Sequence, residues 1–146
     1  MTGWNIATSN WLRRCVYERV PPSMATVASF TMSAVWHGFY PGYYLTFISC
    51  ALWNETAKVL RRHIRPRVLP TPEAEKSFVK TLYDIASTVI TMMSLNYLGH
   101  PFNVQSFENS IALWTYWYMA PHIVCATLLF TVPMLLPIKK KAVKKE

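Results

Sequence analysis

Polar and apolar positions are segregated along this chain rather than interleaved. No Asp, Glu, Lys or Arg occurs at positions 20–54, and further charge-free runs cover 85–107 and 109–138. A bilayer core about 30 Å thick takes ~20 helical residues, and each run is long enough. A soluble helix would instead return a charge to its outer face every third or fourth residue. The pattern predicts an all-α fold, an integral membrane helical bundle of three to four membrane segments with a broken helix at 38–42. Its expected order is an amphipathic interfacial helix (1–20), a broken membrane helix pair (23–61), a cytosolic loop (62–77), membrane helices at 78–98 and 111–138, and a basic cytosolic tail (139–146).

The break has a local cause. A continuous helix over the first run would reach ~52 Å, but Gly38, Pro41 and Gly42 interrupt it. Proline removes a backbone donor and clashes with the preceding turn, so a helix kinks or ends there. The expected course is a helix from about Thr26 to Trp36, an irregular turn over 38–42, and a second helix to about Arg61. Irregular backbone at membrane depth is tolerated where it is buried in protein or lines a cavity. A functional site is therefore expected within 36–44. Nearer the start, Trp4, Ala7, Trp11, Leu12, Cys15, Val16 and Val20 recur at helical spacing, with Arg13, Arg14, Glu18 and Arg19 opposite them, until Pro21-Pro22.

Composition narrows the class further. The 146 residues are 52% hydrophobic and 15% charged, with a net charge of +8. That excludes a disordered chain, which needs high charge with little hydrophobicity. Cys15, Cys50 and Cys125 form no paired motif and no disulfide framework. Cations cluster in 55–80 and in the tail, whereas 99–110 carries only Glu108. The positive-inside rule then puts 55–80 and the tail in the cytosol and 99–110 across the membrane. Trp114, Tyr116, Trp117 and Tyr118 read as an interfacial aromatic belt. No nucleic-acid partner is expected, because the aromatics lie inside the apolar runs instead of alternating with the cations.

Several chemistries are absent: no GxSxG, HExxH, P-loop or dinucleotide glycine pattern occurs. The four histidines lack metal-ligand spacing, so no metal is expected. His37 stands out at the broken point of the first run, with Thr26, Ser29 and Ser33 spaced to share its side of the preceding helix. An ionisable residue inside a membrane segment suggests function. Two readings are open from spacing alone, a buried proton acceptor or a histidine that hydrogen-bonds a neighbouring helix as packing glue.

Trp36-His37-Gly38 followed by Pro41-Gly42-Tyr43-Tyr44-Leu45-Thr46-Phe47 resembles the signature of the membrane-bound O-acyltransferase family. Trp4-Asn5-Ile6, Thr8, Trp11-Leu12-Arg13 and Tyr17-Glu18-Arg19 resemble the family's preceding segment, in its order and at about its spacing. The likeness to the lysophospholipid acyltransferase branch continues through Arg61-Arg62, Leu82-Tyr83-Asp84 and the last apolar helix.

The resemblance implies transfer of a fatty acyl group from acyl-CoA, a co-substrate and not a bound cofactor, to the free hydroxyl of a lysophospholipid within membrane lipid. It carries the family's catalytic histidine and asparagine onto His37, as general base, and Asn5. Trp36, Ser33, Tyr40, Tyr43 and Tyr44, around the break and on the polar side of the preceding helix, are expected to contact substrate. Asn5 would orient the hydroxyl or the histidine, or donate to the oxyanion; without the family it reads as a helix N-cap. Tyr40-Pro41-Gly42-Tyr43-Tyr44 leans toward ethanolamine or serine lysophospholipids, and the endoplasmic reticulum membrane is the implied location.

Family members are several hundred residues long, so the chain is expected to match their last third, with the missing N-terminal helices of the full-length protein as its partner. Little activity is expected of 1–146 alone. Alternatives are a non-catalytic membrane fragment that binds lipid or a partner, and the proton path of a transporter.

Overall fold

The computed structural model describes residues 5–70 and 77–137. Every regular element among them is helical: α1 (Ile6–Cys15), a 3₁₀ turn (Tyr17–Arg19), α2 (Ala25–His37), α3 (Pro41–His63), α4 (Arg65–Val68), α5 (Phe78–Val104), α6 (Phe107–Tyr116) and α7 (Ala120–Leu135). The fold is all-α. Trp4, 71–76 and the basic tail lie outside the described residues.

α3 is the hub, with α2, α5 and α7 packed around it. α2 and α3 form an antiparallel hairpin: Lys58 Nζ donates to Thr26 Oγ1 (2.8 Å) at one end, while His37 stacks on Phe47 at the other. α5 also runs antiparallel to α3, since Gly42 N donates to Gln105 O (3.1 Å) and Thr46 Oγ1 to Leu98 O (3.0 Å). α7 runs parallel, through Ser49 to His122 (3.0 Å), Thr56 Oγ1 to Cys125 O (3.2 Å) and His63 Nδ1 to Leu136 O (2.5 Å). Gly42, Thr46, Ser49, Trp53, Thr56 and His63 lie on one face of α3, in steps of four, three, four and three and then one of seven. Small and hydroxylated residues allow backbones to approach closely and offer hydrogen bonds across helices.

The break falls at 38–40, slightly tighter than the expected 38–42, because Pro41 and Gly42 already belong to α3. Gly38 adopts φ 129°, ψ −177°, a region open essentially to glycine alone. Its N–H is shared between the Ala34 and Val35 carbonyls at 3.2 Å each, closing α2. Tyr40 is extended (φ −73°, ψ 133°), as a residue before proline should be, and Pro41 opens α3 where no N–H is needed.

Several expected boundaries need correction. The span expected at 111–138 is two helices, α6 and α7, bent by 74° at a break where Tyr118 and Met119 have φ of 52° and 53°. No single helix among the described residues is long and apolar enough to cross a membrane, although this bent pair qualifies together. The helix expected at 78–98 continues to Val104, through Pro101. Part of the loop expected at 62–77 is helical, since α3 reaches His63 and α4 follows. The amphipathic pattern at 1–20 becomes α1 and the 3₁₀ turn, joined by an Arg13–Glu18 ion pair at 2.8 Å.

Pro101 sits in α5 because its missing N–H is compensated. The carbonyl four residues back, Tyr97 O, receives the Trp114 indole N–H at 3.4 Å. Trp114 is only 2% exposed and stacks on Tyr97, so it belongs to the core and not to an aromatic belt; Tyr116, Trp117 and Tyr118 remain exposed.

The crossing of α3 and α5 yields the first prediction. A Cβ on Gly42 would lie 2.0 Å from Pro101 O, while one on Gly99 would meet nothing within 4 Å. Gly42→Ala should destabilise the fold by about 1–3 kcal/mol, the usual cost of forcing bulk into a packed contact. Gly99→Ala should be neutral or stabilising by roughly 0.5–1 kcal/mol through helix propensity. Thermal unfolding in detergent checks both, and equal melting temperatures would contradict the close contact.

Candidate active site

His37 is the last residue of α2, placed there by the glycine that ends the helix. Four aromatic rings surround it. Phe47 stacks on the imidazole (centroids 5.0 Å, 28° between planes), Trp36 and Phe102 present near-perpendicular contacts at 5.0 and 5.2 Å, and Tyr43 lies at 5.7 Å. Tyr43 in turn contacts Tyr40 at 6.0 Å and Phe102 at 4.8 Å. Trp36, His37, Tyr40 and Tyr43 therefore meet in one cluster. His37 is exposed, contrary to the burial expected of it, and makes no hydrogen bond among the described residues. One face of its ring is packed while its nitrogens remain open to an incoming group.

The other expected residues are placed differently. Ser33 Oγ donates to Ser29 O (3.0 Å) and Ser29 Oγ to Ala25 O (2.8 Å), so these hydroxyls back-bond to their own helix. Thr26 is buried under Lys58 at the far end of the hairpin. Tyr44 does not join the histidine cluster. It lines an open groove of ≈ 330 Å³ on another side of α3, with Phe39, Ile48, Ser49 and Phe107. Asn5 is exposed at the start of α1, in a left-handed conformation (φ 60°, ψ 29°). It precedes the helix as a cap would, but its side chain makes no capping bond; its carbonyl accepts from Ser9 N at 3.0 Å. No hydrogen bond or ring contact joins Asn5 to His37 among the described residues.

Three site residues escape a local reading of the sequence. Phe47 was visible only as part of the longer motif. Phe102 and Gln105 come from the end of α5, more than fifty positions downstream. Gln105 Nε2 donates to the Tyr43 hydroxyl at 2.7 Å. Nothing in sequence spacing connects these residues; the Gly42–Pro101 approach does.

A second histidine is fully engaged. His122 Nε2 pairs with Ser49 Oγ and Nδ1 with the Tyr97 hydroxyl, both at 3.0 Å, between the Trp114 and Trp53 rings at 4.5 and 5.0 Å. This is the packing-glue behaviour that spacing alone left open for His37. No cluster of three or more His, Cys, Asp or Glu suited to a metal occurs among the described residues. The basic side chains Lys58, Arg61, Arg62, Arg65 and Arg67 sit at the end of α3 remote from His37. Pro41 and Lys58 are separated by on the order of 26 Å of helix.

The described residues thus form an all-helical bundle with a histidine at a glycine-made break. The profile of the membrane-bound O-acyltransferase family matches residues 1–100. The chain is 41% identical over 133 residues to lysophospholipid acyltransferase 6 of Drosophila melanogaster, covering 91% of this chain and 18% of the relative. It is 40% identical over 143 residues to the lysophospholipid acyltransferase of Schizosaccharomyces pombe (92% and 28%). It is 36% identical over 145 residues to human membrane-bound glycerophospholipid O-acyltransferase 2 (99% and 26%). The chain belongs to the membrane-bound O-acyltransferase family, a family of membrane-bound proteins, and spans between 18% and 28% of the length of these relatives.

The engaged histidine gives a stability test. His122→Leu should cost about 1–3 kcal/mol, because Ser49 and Tyr97 lose their partner. Adding Ser49→Ala and Tyr97→Phe should return part of that loss by removing the orphaned groups. Tryptophan-monitored unfolding measures both steps, and an undiminished single variant would show that the network is not cohesive.

Proposed function

We propose that this chain carries the histidine-bearing part of an enzyme that moves a fatty acyl group from acyl-CoA to the free hydroxyl of a lysophospholipid. The observation that carries the reading is Trp36-His37-Gly38 at the break, with an open imidazole among aromatic rings, in a chain whose relatives are named for lysophospholipid acyl transfer. His37 acts as general base: it takes the hydroxyl proton as the oxygen attacks the thioester carbonyl, and it returns the proton to the departing thiolate. Phe47 stacked on one face of the ring limits its rotation. Asn5 serves as the second polar group, orienting the hydroxyl or donating to the oxyanion. Trp36, Tyr40 and Tyr43 flank the reacting ends; Ser33 and Tyr44 contact the lipid portions farther from the chemistry. The enzyme works in the endoplasmic reticulum membrane with 55–80 and the tail facing the cytosol, and no metal takes part.

The supporting helices are those of the longer relatives, given the share of their length that this chain matches. The second reading, a non-catalytic fragment, rests on that same fraction, and one experiment separates the two. Membranes carrying 1–146 alone, and 1–146 joined behind the preceding portion of the fission-yeast relative, are given labelled acyl-CoA and a panel of lysophospholipids. The joined protein should transfer acyl groups, and 1–146 alone should transfer few or none. His37→Ala should lower turnover by about 10²–10⁴-fold at unchanged protein level, the range for a positioned general base. Full activity in that variant, or none in the joined wild type, overturns the proposal.

A further inference from the structure

The end of α5 does more than pack. Gln105 follows α5 in a left-handed conformation (φ 62°, ψ −20°), unusual for a residue other than glycine. Sparsely populated conformations of this kind persist where surrounding structure holds them, and they cluster at functional sites. Both halves of Gln105 are used. Its backbone carbonyl accepts the Gly42 N–H at 3.1 Å, satisfying one of the orphan donors at the start of α3. Its side-chain amide donates to the hydroxyl of the next residue, Tyr43, at 2.7 Å. Gln105 N donates to Pro101 O (2.9 Å), and Phe102 from the same turn touches both Tyr43 and His37.

The chemistry of the Tyr43 hydroxyl follows from that bond. An amide N–H occupies a lone pair of the phenol oxygen and leaves its O–H free to donate. No acceptor for that proton occurs among the described residues. The donor belongs to the ring that rests against His37.

We propose that Tyr43 is a catalytic hydrogen-bond donor to the thioester carbonyl oxygen, and that Gln105 is the positioning residue that holds it. This rests on the acyl-transfer reading above. As the lysophospholipid oxygen attacks, a C–O bond forms and the carbonyl oxygen takes negative charge that Tyr43 O–H stabilises. The C–S bond then breaks, and the proton first taken by His37 passes to the coenzyme A thiolate. Tyr43 remains protonated throughout. A donor aimed where charge develops stabilises the transition state more than the ground state.

The test uses the joined protein in membranes, with labelled acyl-CoA and lysophosphatidylethanolamine. Tyr43→Phe should lower kcat by about 10²-fold with KM nearly unchanged, as for loss of one oxyanion donor. Gln105→Leu and Gln105→Glu should each lower kcat by roughly tenfold; the carboxylate can only accept, and so it draws the phenol proton away from substrate. In a Tyr43→Phe background neither Gln105 change should lower kcat further, since both act through one hydroxyl. A general structural role would instead lower protein level and multiply with Tyr43→Phe. Gln105→Glu with wild-type kcat, or independent multiplication of the two effects, overturns the proposal. Loss of turnover in His37→Ala beside an active Tyr43→Phe would sink this inference and leave the acyl-transfer reading standing. An active His37→Ala would sink the reading itself.

Discussion

One face of α3 constrains the rest of the molecule. Gly42, Thr46, Ser49, Trp53, Thr56 and His63 recur along it at the four, three and seven spacings of one helical face, and the neighbours on that face are α5 and α7. Apolar side chains alone could not fix this arrangement in a lipid-like surrounding, where burying hydrocarbon provides little drive. What fixes it is a missing side chain at Gly42 and a series of hydroxyl and imidazole bonds to carbonyls and side chains opposite. Each such bond has a directional optimum, so together they set rotation and height as well as proximity.

The site depends on the first contact of that series. At Gly42 the start of α3 meets the end of α5, where Gln105 O receives Gly42 N–H. The positive end of one helix dipole faces the negative end of another, a favourable pairing. Because Gly38 turns the chain immediately before, the end of α2 is held against the same place. His37 from α2, Tyr43 and Phe47 from α3, and Phe102 from α5 converge there without any of them lying on a long loop. Rigid elements place a site more reproducibly than loops do.

Much of this was legible in the residues. Pro41 and the flanking glycines marked the break to within two positions, and the charge-free runs announced helices with little polar surface. The cluster of Trp36, His37, Tyr40 and Tyr43 followed from adjacency across that break. The failures share a cause. Trp114 looked like a surface aromatic because its partner, the Tyr97 carbonyl freed by Pro101, is set by tertiary structure. The helix expected to end at 98 runs on through Pro101, since nothing local reveals that Trp114, thirteen residues further on, supplies a donor for the carbonyl that Pro101 leaves free. The bend between α6 and α7 is carried by Tyr118 and Met119 in left-handed conformations that neither residue type favours. His37 and His122 were indistinguishable by type, and only their neighbours separate an open imidazole from one bonded at both nitrogens.

The position of the basic residues gives the α2–α3 hairpin two chemically different ends. Lys58 and the arginines after it stand at one end of the α2–α3 hairpin, with His37 at the other. Those charges do not line the surroundings of His37, so they cannot act on its chemistry at contact range. The two ends stand on the order of 26 Å apart along α3. The polar groups spaced over that interval are Thr26, Ser29 and Ser33 of α2, and each already has a hydrogen-bond partner. A serine hydroxyl bonded to its own helix has given up its proton but keeps acceptor capacity. Ser29 and Ser33 therefore present acceptors without charge along α2. The hairpin is thus graded along its length, with cations at the Lys58 end, acceptor hydroxyls at Ser29 and Ser33 along α2, and aromatic rings around His37 at the other end.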